Sequence, residues 1–340
     1  MREASEPNPF LESWCLVPAL DAFHPDAALL IVEVAGMPIG FLPIARRAGY
    51  YGYPLPHLAA WSHDNAFCGA PLVRRGHEAT FWQGLLAWAD RAGGTALFLH
   101  LPQLPTDGPL MAALRAELAA QSRPAAVVQR CERAMLRSHL APEDYFTAAM
   151  SGKKRKELRR QHARLAELGA LAFERREDAT GVDQWADRFL ALEIAGWKGR
   201  EGSALASSAQ TEAFFRRALA GAADAGRLER LTLSLDGAPI AMLANFIAPP
   251  GAFSFKTAYD ENYARFSPGV LLQRANLALL GRAEIAWADS CAAADHPMIE
   301  RIWREKRELA HVSITIGGPV RRAIGMAILR AEAGKAREGI

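Results

Sequence analysis

Two short stretches limit what this chain can fold into more than any other feature. VEVAGMPIGFL at 32–42 and LSLDGAPIAML at 233–243 share a turn glycine, a following proline and isoleucine, a small residue and a leucine. Gly36, Pro38, Ile39, Gly40 and Leu42 match Gly237, Pro239, Ile240, Ala241 and Leu243 at a constant offset. A glycine turn between apolar runs is a hairpin signal, and a single match is within reach of recurring hairpin chemistry. The surroundings favour duplication. ALLIVEVAG and MPIGFLPIARR read as two strands, followed by the aromatic loop YYGYPLPHLAAW. HEATFWQGLLAWADRAGG is an amphipathic helix with Phe81, Leu85 and Trp88 on one stripe. The strand TALFLHL, the helix GPLMAALRAELAAQ and the strand AVVQRCERAML come next. The second half repeats the programme: ALAFERR as a strand, GVDQWADRFLALEIAGW and TEAFFRRALAGAADAG as helices, then RLTLSLDG, APIAMLANFIA and GAFSFKTAYD as an antiparallel meander. The expected class is mixed α/β, with largely antiparallel sheets, flanking helices and tandem duplicated domains. The expected boundaries are 1–138, a basic helical junction over 139–169, a second domain over 170–325 and a tail over 326–340.

Composition narrows the partners. A chain of 340 residues, half of them hydrophobic, suits two domains, and a net charge of only +3 argues against duplex DNA. Cys15, Cys68, Cys131 and Cys291 lie far apart with no C-x-x-C pair, so neither a disulfide framework nor a metal site is expected. MREASEPNPF has acidic and proline residues where a signal peptide needs an apolar core, and no apolar run reaches the length of a membrane span. The expectation is a soluble, cytoplasmic protein.

SGKKRKELRRQHARL, 151–165, breaks a local rule, because cations in a first helical turn oppose the helix dipole. Two readings stand. If the helix runs on from Pro142, the cations fall mid-helix as a solvated stripe of Lys153, Lys156, Arg160 and Arg164, with Leu158, Leu165 and Leu168 on the buried side. Alternatively the stretch from Lys153 to Arg160 meets an anionic ligand, a nucleotide-linked one or tRNA among them.

FSFKTAYDENYARFSPGVLLQRANLALLG, 253–281, runs from a strand through an acidic loop into a helix opening at Ser267-Pro268-Gly269. Ser267 suits the N-cap and Pro268 the first helical position, while Gly269 leaves amides open to an anion; the same triplet is also an ordinary helix opening. Together with KKRKELRRQHARLAELG, LEIAGWKGREGSAL, GRLERLTLSLDGAPIA and ADSCAAADHPMIERIW, this segment resembles the GNAT-type acetyltransferases related to a cellulose-biosynthesis protein. That family is distantly similar to Fem-type aminoacyl ligases. The resemblance runs from about residue 130 to 316. It implies a doubled GNAT fold and acyl transfer from acetyl-CoA or another acyl-CoA to a small-molecule acceptor. It places the donor at Arg265, Ser267, Pro268, Gly269, Val270 and Leu271, although the superfamily's usual Q/R-x-x-G-x-G/A loop is absent. It also implies a polar, sugar-like or envelope polysaccharide precursor as acceptor.

Acyl transfer needs a group to accept a proton, and carboxylates at strand ends are the candidates: Asp289 as the base, raised by burial, then Asp260, with Tyr259 as an acid. Glu193, Trp197, Lys198 and Lys256 are the expected acceptor contacts. Cys291, five residues before His296, reads as a buried small residue rather than a nucleophile. An aminoacyl-tRNA donor and a non-catalytic binding protein remain as alternatives.

Overall fold

The computed structural model describes residues 3–332. Helix α1 (Ser13–Phe23) precedes β1 (Ala27–Val34), β2 (Met37–Arg47), β3 (His57–Ala60) and β4 (Leu72–Val73). Next come α2 (Glu78–Ala92), β5 (Phe98–Pro105), α3 (Pro109–Ala120) and β6 (Ala125–Leu136). Helices α4 (Pro142–Ala149) and α5 (Gly152–Ala166) lead to β7 (Leu171–Arg176), α6 (Val182–Ala195), a one-turn α7 (Trp197–Arg200) and α8 (Ala209–Asp224). The meander β8 (Leu228–Leu235), β9 (Ala238–Ala248) and β10 (Gly251–Tyr259) passes through a 3-10 turn, Glu261–Phe266, into α9 (Pro268–Asn276). Strands β11 (Trp287–Asp289) and β12 (Glu305–Thr315) and helix α10 (Pro319–Glu332) complete the described chain. Every strand and helix expected from periodicity is present.

The chain forms two compact units, and their boundaries differ from the contiguous ones expected. One unit holds 1–12, 25–132 and 308–340; the other holds 13–24 and 133–307. Helix α1 joins the second unit because its aromatic rings find partners there. Trp14 meets Phe246 edge-on at 4.8 Å and Phe23 meets Phe214 at 5.5 Å, with Gly221 leaving room for the Trp14 backbone. Nor is 139–169 a junction. Tyr145, Phe146, Leu158 and Leu165 are buried in the same core as Leu231, Leu233 and Trp303. The expected tail is helical as far as Glu332, with Leu329 buried beside Phe98, and residues 333–340 lie outside the described residues.

The two echoing stretches are the same hairpin. In the first, Val32 pairs with Gly40 and Glu33 with Pro38, with a bulge between Val32 and Glu33. In the second, Leu233 pairs with Ala241 and Ser234 with Pro239, with the bulge at the matching place. Both turns have two residues at positive φ, Ala35 (51°) and Gly36 (75°) against Asp236 (49°) and Gly237 (79°), the geometry that continues a right-handed strand twist. The order that follows also agrees. Strand β3, helix α2 and a strand β5 parallel to β3 correspond to β10, α9 and a strand β11 parallel to β10. The second unit is ordered β6-β11-β10-β9-β8-β7.

A buried polar network fastens the meander to α9. Asn245 Nδ2 donates to Glu229 Oε1 at 2.8 Å and to Asn276 Oδ1 at 2.7 Å, and the Ser254 hydroxyl donates to Asn245 Oδ1 at 2.8 Å. Asn276 Nδ2 returns to Ser254 Oγ at 3.0 Å, and Arg175 and Arg282 neutralise the wholly buried Glu229 at 2.7 and 3.0 Å. Such a network is stabilising only when complete, because each stranded polar group costs about 1–3 kcal/mol. Asn245→Leu strands two acceptors at once, so its unfolding free energy in urea should fall by about 2–5 kcal/mol.

Candidate active site

Strands β10 and β11 separate early. They pair over only three positions, Gly251 with Trp287, Ala252 with Ala288 and Phe253 with Asp289; from Ser254 to Tyr259, β10 pairs with β9 alone among the described residues. A bulge lies where they separate: Ser254 pairs with Asn245 and Lys256 with Ala244, leaving Phe255 extra. The Phe255 ring is anchored by stacking on Phe246 at 4.4 Å. A bulge interrupts the ladder and re-aims the residues beyond it.

Helix α9 starts beside this opening, though not as the sequence suggested. Ser267 sits in the left-handed region (φ 55°, ψ 49°) and its side chain makes no capping bond. Its carbonyl accepts instead, from Val270 N–H at 3.0 Å and Leu271 N–H at 3.1 Å, while its own N–H closes the preceding 3-10 turn on Ala264. Pro268 has no N–H, so Gly269 N–H is the first-turn donor left without a backbone partner among the described residues. A Cβ on Gly269 would lie 2.6 Å from Met298 Sδ and 3.5 Å from the Tyr259 ring, so both side chains cover this helix start. Val270 is half-buried and the Leu271 side chain belongs to the core. The Arg265 guanidinium is exposed, 4.7 Å from the Phe266 ring centroid.

A cleft of about 440 Å3 lies between α6, α7, the β8–β9 turn at Pro239 and the end of β10, lined among others by Arg188, Arg200, Tyr259, Asp260 and Glu261. Its far wall is the α6–α7 corner. Helix α6 buries Trp185, Phe189 and Leu190 at helical spacing and continues that face into Glu193, a charge on an apolar stripe. The charge is answered at once: Glu193 Oε1 accepts from Lys198 Nζ at 2.7 Å and Oε2 from Leu205 N–H at 2.8 Å. Glu261 joins the near wall to the corner, accepting from Trp197 N–H and from Arg200, each at 2.7 Å. The Arg200 bond, followed by the Trp197 one, holds the Glu261 carboxyl below the usual range. Asp260 Oδ1 accepts from Asn262 N–H at 2.9 Å, and Trp197 is exposed rather than docked on the core. Tyr259 and Asp260 thus line the cleft; Glu193, Trp197 and Lys198 belong to the α6–α7 corner but are not among the lining residues, and Lys256 lies nearer the bulge with Nζ 5.5 Å from the Phe255 ring. Among the described residues no group of three or more His, Cys, Asp or Glu side chains is placed to hold a metal ion, and no helix is long and apolar enough to cross a membrane.

Residues 152–310 match the family model for an acetyltransferase (GNAT) domain. The chain carries a GNAT acyltransferase domain. No curated protein matches the chain in sequence. Among solved structures, FemX is similar over 95% of this chain and 96% of its own, with TM-score 0.59 and 11% identity. The C-terminal domain of a putative lysylphosphatidylglycerol synthetase from Agrobacterium fabrum is similar over 100% and 96%, with TM-score 0.56 and 12% identity. L-PGS from Bacillus licheniformis is similar over 97% and 99%, with TM-score 0.53 and 13% identity. At these identities the likeness is one of fold.

Within the GNAT domain, Asp289 is at a strand end as expected, but its surroundings are not those of a base. It has no exposure, and Oδ2 is shared by Arg133 at 2.8 Å and Arg307 at 2.9 Å while Oδ1 accepts from Cys291 N–H at 2.8 Å. The sequence pointed to burial and could not point to the two arginines, which arrive from distant strands. The Cys291 thiol is pushed well up by burial and by the Asp289 charge, in keeping with a packing role.

The basic stretch begins a helix of its own. Helices α4 and α5 are separate, and the Ser151 hydroxyl caps α5 by accepting from Lys154 N–H at 3.5 Å. Lys153, Lys154 and Arg155 therefore do occupy a first turn, with Lys156 directly after it, and the continuous-helix reading is overturned. Leu158 and Leu165 are buried, whereas Leu168 is exposed because α5 has ended at Ala166. Arg155 donates to Thr147 O and Arg160 pairs with Glu157. Lys153, Lys154, Lys156, Arg159 and Arg164 have no acidic partner among the described residues.

The first unit closes the place where its own parallel strands separate. Gly69 N–H donates to Gln103 O of β5 at 2.9 Å, and a Cβ on Gly69 would fall 1.8 Å from Pro102 O. Buried Asn8 holds this segment down, donating to Cys68 O at 3.0 Å and Ala70 O at 2.7 Å. The cavity left there is about 20 Å3, room for about one water.

Asp289→Asn leaves two buried guanidiniums short of a counter-charge. Thermal and urea unfolding should show a loss of about 3–5 kcal/mol, the range for breaking a buried ion pair from one side.

Proposed function

We propose that the second unit transfers an acyl group, acetyl first among them, from a coenzyme A thioester to the amine or hydroxyl of a polar, sugar-like acceptor such as an envelope or exopolysaccharide precursor. The observation that carries this reading is the separation of β10 from β11 at a bulge, directly beside a helix start whose Gly269 N–H has no backbone partner among the described residues, inside the segment that matches the GNAT domain. An acyl-transfer site needs donors for an anionic leaving group's tail, an opening in the sheet for an extended chain, and a cleft for the acceptor. Gly269 N–H, the dipole of α9 and the exposed Arg265 suit the pyrophosphate, with Ser267, Pro268, Val270 and Leu271 shaping that turn. Tyr259 stands between the helix start and the cleft, a position from which a phenol can return a proton to a leaving thiolate. Asp260 and Lys256 orient the acceptor, and the exposed face of Trp197 suits stacking on a sugar ring.

Gly269→Glu places a carboxylate against the donor phosphates, and its Cβ crowds the flexible Met298 side chain. Calorimetry should show acetyl-CoA binding in the parent and at least a tenfold loss in the folded variant, roughly the effect of one misplaced charge. Equal affinity in the two proteins places the donor elsewhere.

A second reading, with aminoacyl-tRNA as donor, draws on the five unpartnered cations of α5, more than one or two phosphates need. Replacing Lys153, Lys154 and Lys156 by Gln should then flatten the salt dependence of tRNA affinity by about one unit of slope per lost phosphate contact, and move acetyl-CoA affinity less. Binding titrations over a salt series distinguish the donors; a parent with no affinity for tRNA leaves the coenzyme A reading alone.

A further inference from the structure

The segment between β11 and β12 lies against the proposed donor site. Its Cys291 N–H donates to Asp289 Oδ1, its Met298 covers the start of α9, and its His296, two residues before Met298, senses the Lys198 charge. Acyl transfer to an amine or hydroxyl needs a lone pair to receive the acceptor's proton, so the groups around the site can be ranked by how far they are already engaged. Asp289 is wholly buried and holds three donors, two guanidiniums on one oxygen and an N–H on the other. Glu193 holds Lys198 and Leu205 N–H, and Glu261 holds Trp197 N–H and Arg200, one donor on each oxygen. Two groups are less engaged. Asp260 uses one oxygen on Asn262 N–H, and the buried His296 Nδ1 has no hydrogen bond to another residue among the described ones. A buried ring nitrogen left without a partner on another residue is uncommon in a folded chain and calls for an explanation. An imidazole also matches proton transfer near neutral pH better than a carboxylate, whose ordinary pKa is about two units lower.

We infer that His296 is the general base of the transfer proposed above, an inference that rests on that reading. The acceptor's nitrogen or oxygen bonds to the carbonyl carbon, and its proton passes to the imidazole. As the carbon–sulfur bond breaks, the electron pair leaves on sulfur and the proton follows to give the free thiol; nothing is oxidised or reduced. The charges facing His296 are Lys198, itself paired with Glu193, and Glu300, which is held by Lys306 and by Asp295 N–H. Burial lowers the imidazole pKa most, a hydrogen bond with the residue's own backbone raises it, and Lys198 and Glu300 pull in opposite directions; the net shift is downward, so the ring is neutral and able to accept.

The test uses the full chain with acetyl-CoA as donor and glucosamine and ethanolamine as acceptor probes, following thiol release across pH. His296→Gln should lower kcat by about 10²–10⁴ with the acetyl-CoA KM within about twofold, and should remove the acidic limb of the pH profile. Asp260→Asn should raise the acceptor KM and keep that limb. In the parent, the His296 ring signals followed by NMR should titrate at the pH of the limb. A His296→Gln protein with the parent's kcat and limb overturns the assignment and leaves acyl transfer standing. A parent that neither binds acetyl-CoA in calorimetry nor releases thiol overturns the acyl-CoA reading, and the assignment with it.

Discussion

A carboxylate with no exposure has to be neutralised where it lies, and Asp289 is neutralised from two strands at once, by Arg133 of β6 and Arg307 of β12. The excess positive charge is shared with aromatic faces, since the Arg307 guanidinium lies 4.3 Å from the Trp287 ring centroid and 5.7 Å from that of Phe253. This clamp explains how a strand of three residues keeps its place. A one-residue slip of β11 would turn Asp289 to the opposite face and take its charge away from both buried arginines. A buried ion pair need not add stability over an apolar substitute, because desolvation offsets much of the attraction. It does select one register. With β11 so fixed and so short, β10 must continue past it, and the opening between the two is a consequence.

The same building plan has been used twice with opposite results. Each unit has the bulged hairpin, a third strand, a helix and a parallel strand. In the first unit the chain after β3 folds back onto β5 and is pinned by Asn8, so the space is filled with backbone. In the second, β10 is longer, carries a bulge and turns straight into α9, so the space stays open. The buried Asn245 network holds bulge and helix as one piece, because Ser254 beside the bulge and Asn276 on α9 bond to the same side chain. A site assembled from a strand bulge and a helix start needs such a tie, since neither element fixes the other through backbone bonds.

Charge is arranged unevenly around this frame. Glu193 and Glu261 are each held by two partners, and their work is to fix the α6–α7 corner against the end of β10. His100 of the first unit is a packing group: it bonds to Ser313, which also meets the Tyr50 hydroxyl, and burial lowers its pKa to about 3. The α5 cations stand apart, beginning in a first helical turn where the dipole disfavours them, with Ser151 supplying the cap that starts the helix despite them.

Periodicity and turn chemistry were enough to read most of the strands and helices, the repeated hairpin and the helix opening at Pro268, because these depend on residues a few positions apart; β3 lies in the stretch expected as an aromatic loop, and α1, β4, β12 and α10 were not anticipated. The resemblance carried by motifs between residues 130 and 316 pointed to the domain that residues 152–310 match. Chemistry at single residues was less legible. That Asp289 is buried could be read from EIAWAD, but its partners lie on strands separated from it along the chain by loops and by most of the second unit. His296 stood in the sequence only as a neighbour of Cys291, since a ring nitrogen without a partner on another residue is a property of its surroundings. Domain boundaries were misplaced for the same reason: α1 is placed by rings more than 190 residues away, on Phe214 and Phe246. Local structure follows from short-range sterics and hydrogen bonding, which a sequence displays. Which lone pairs are free, which charges are answered and which gaps are filled follow from packing between distant segments, and only the tertiary structure decides them.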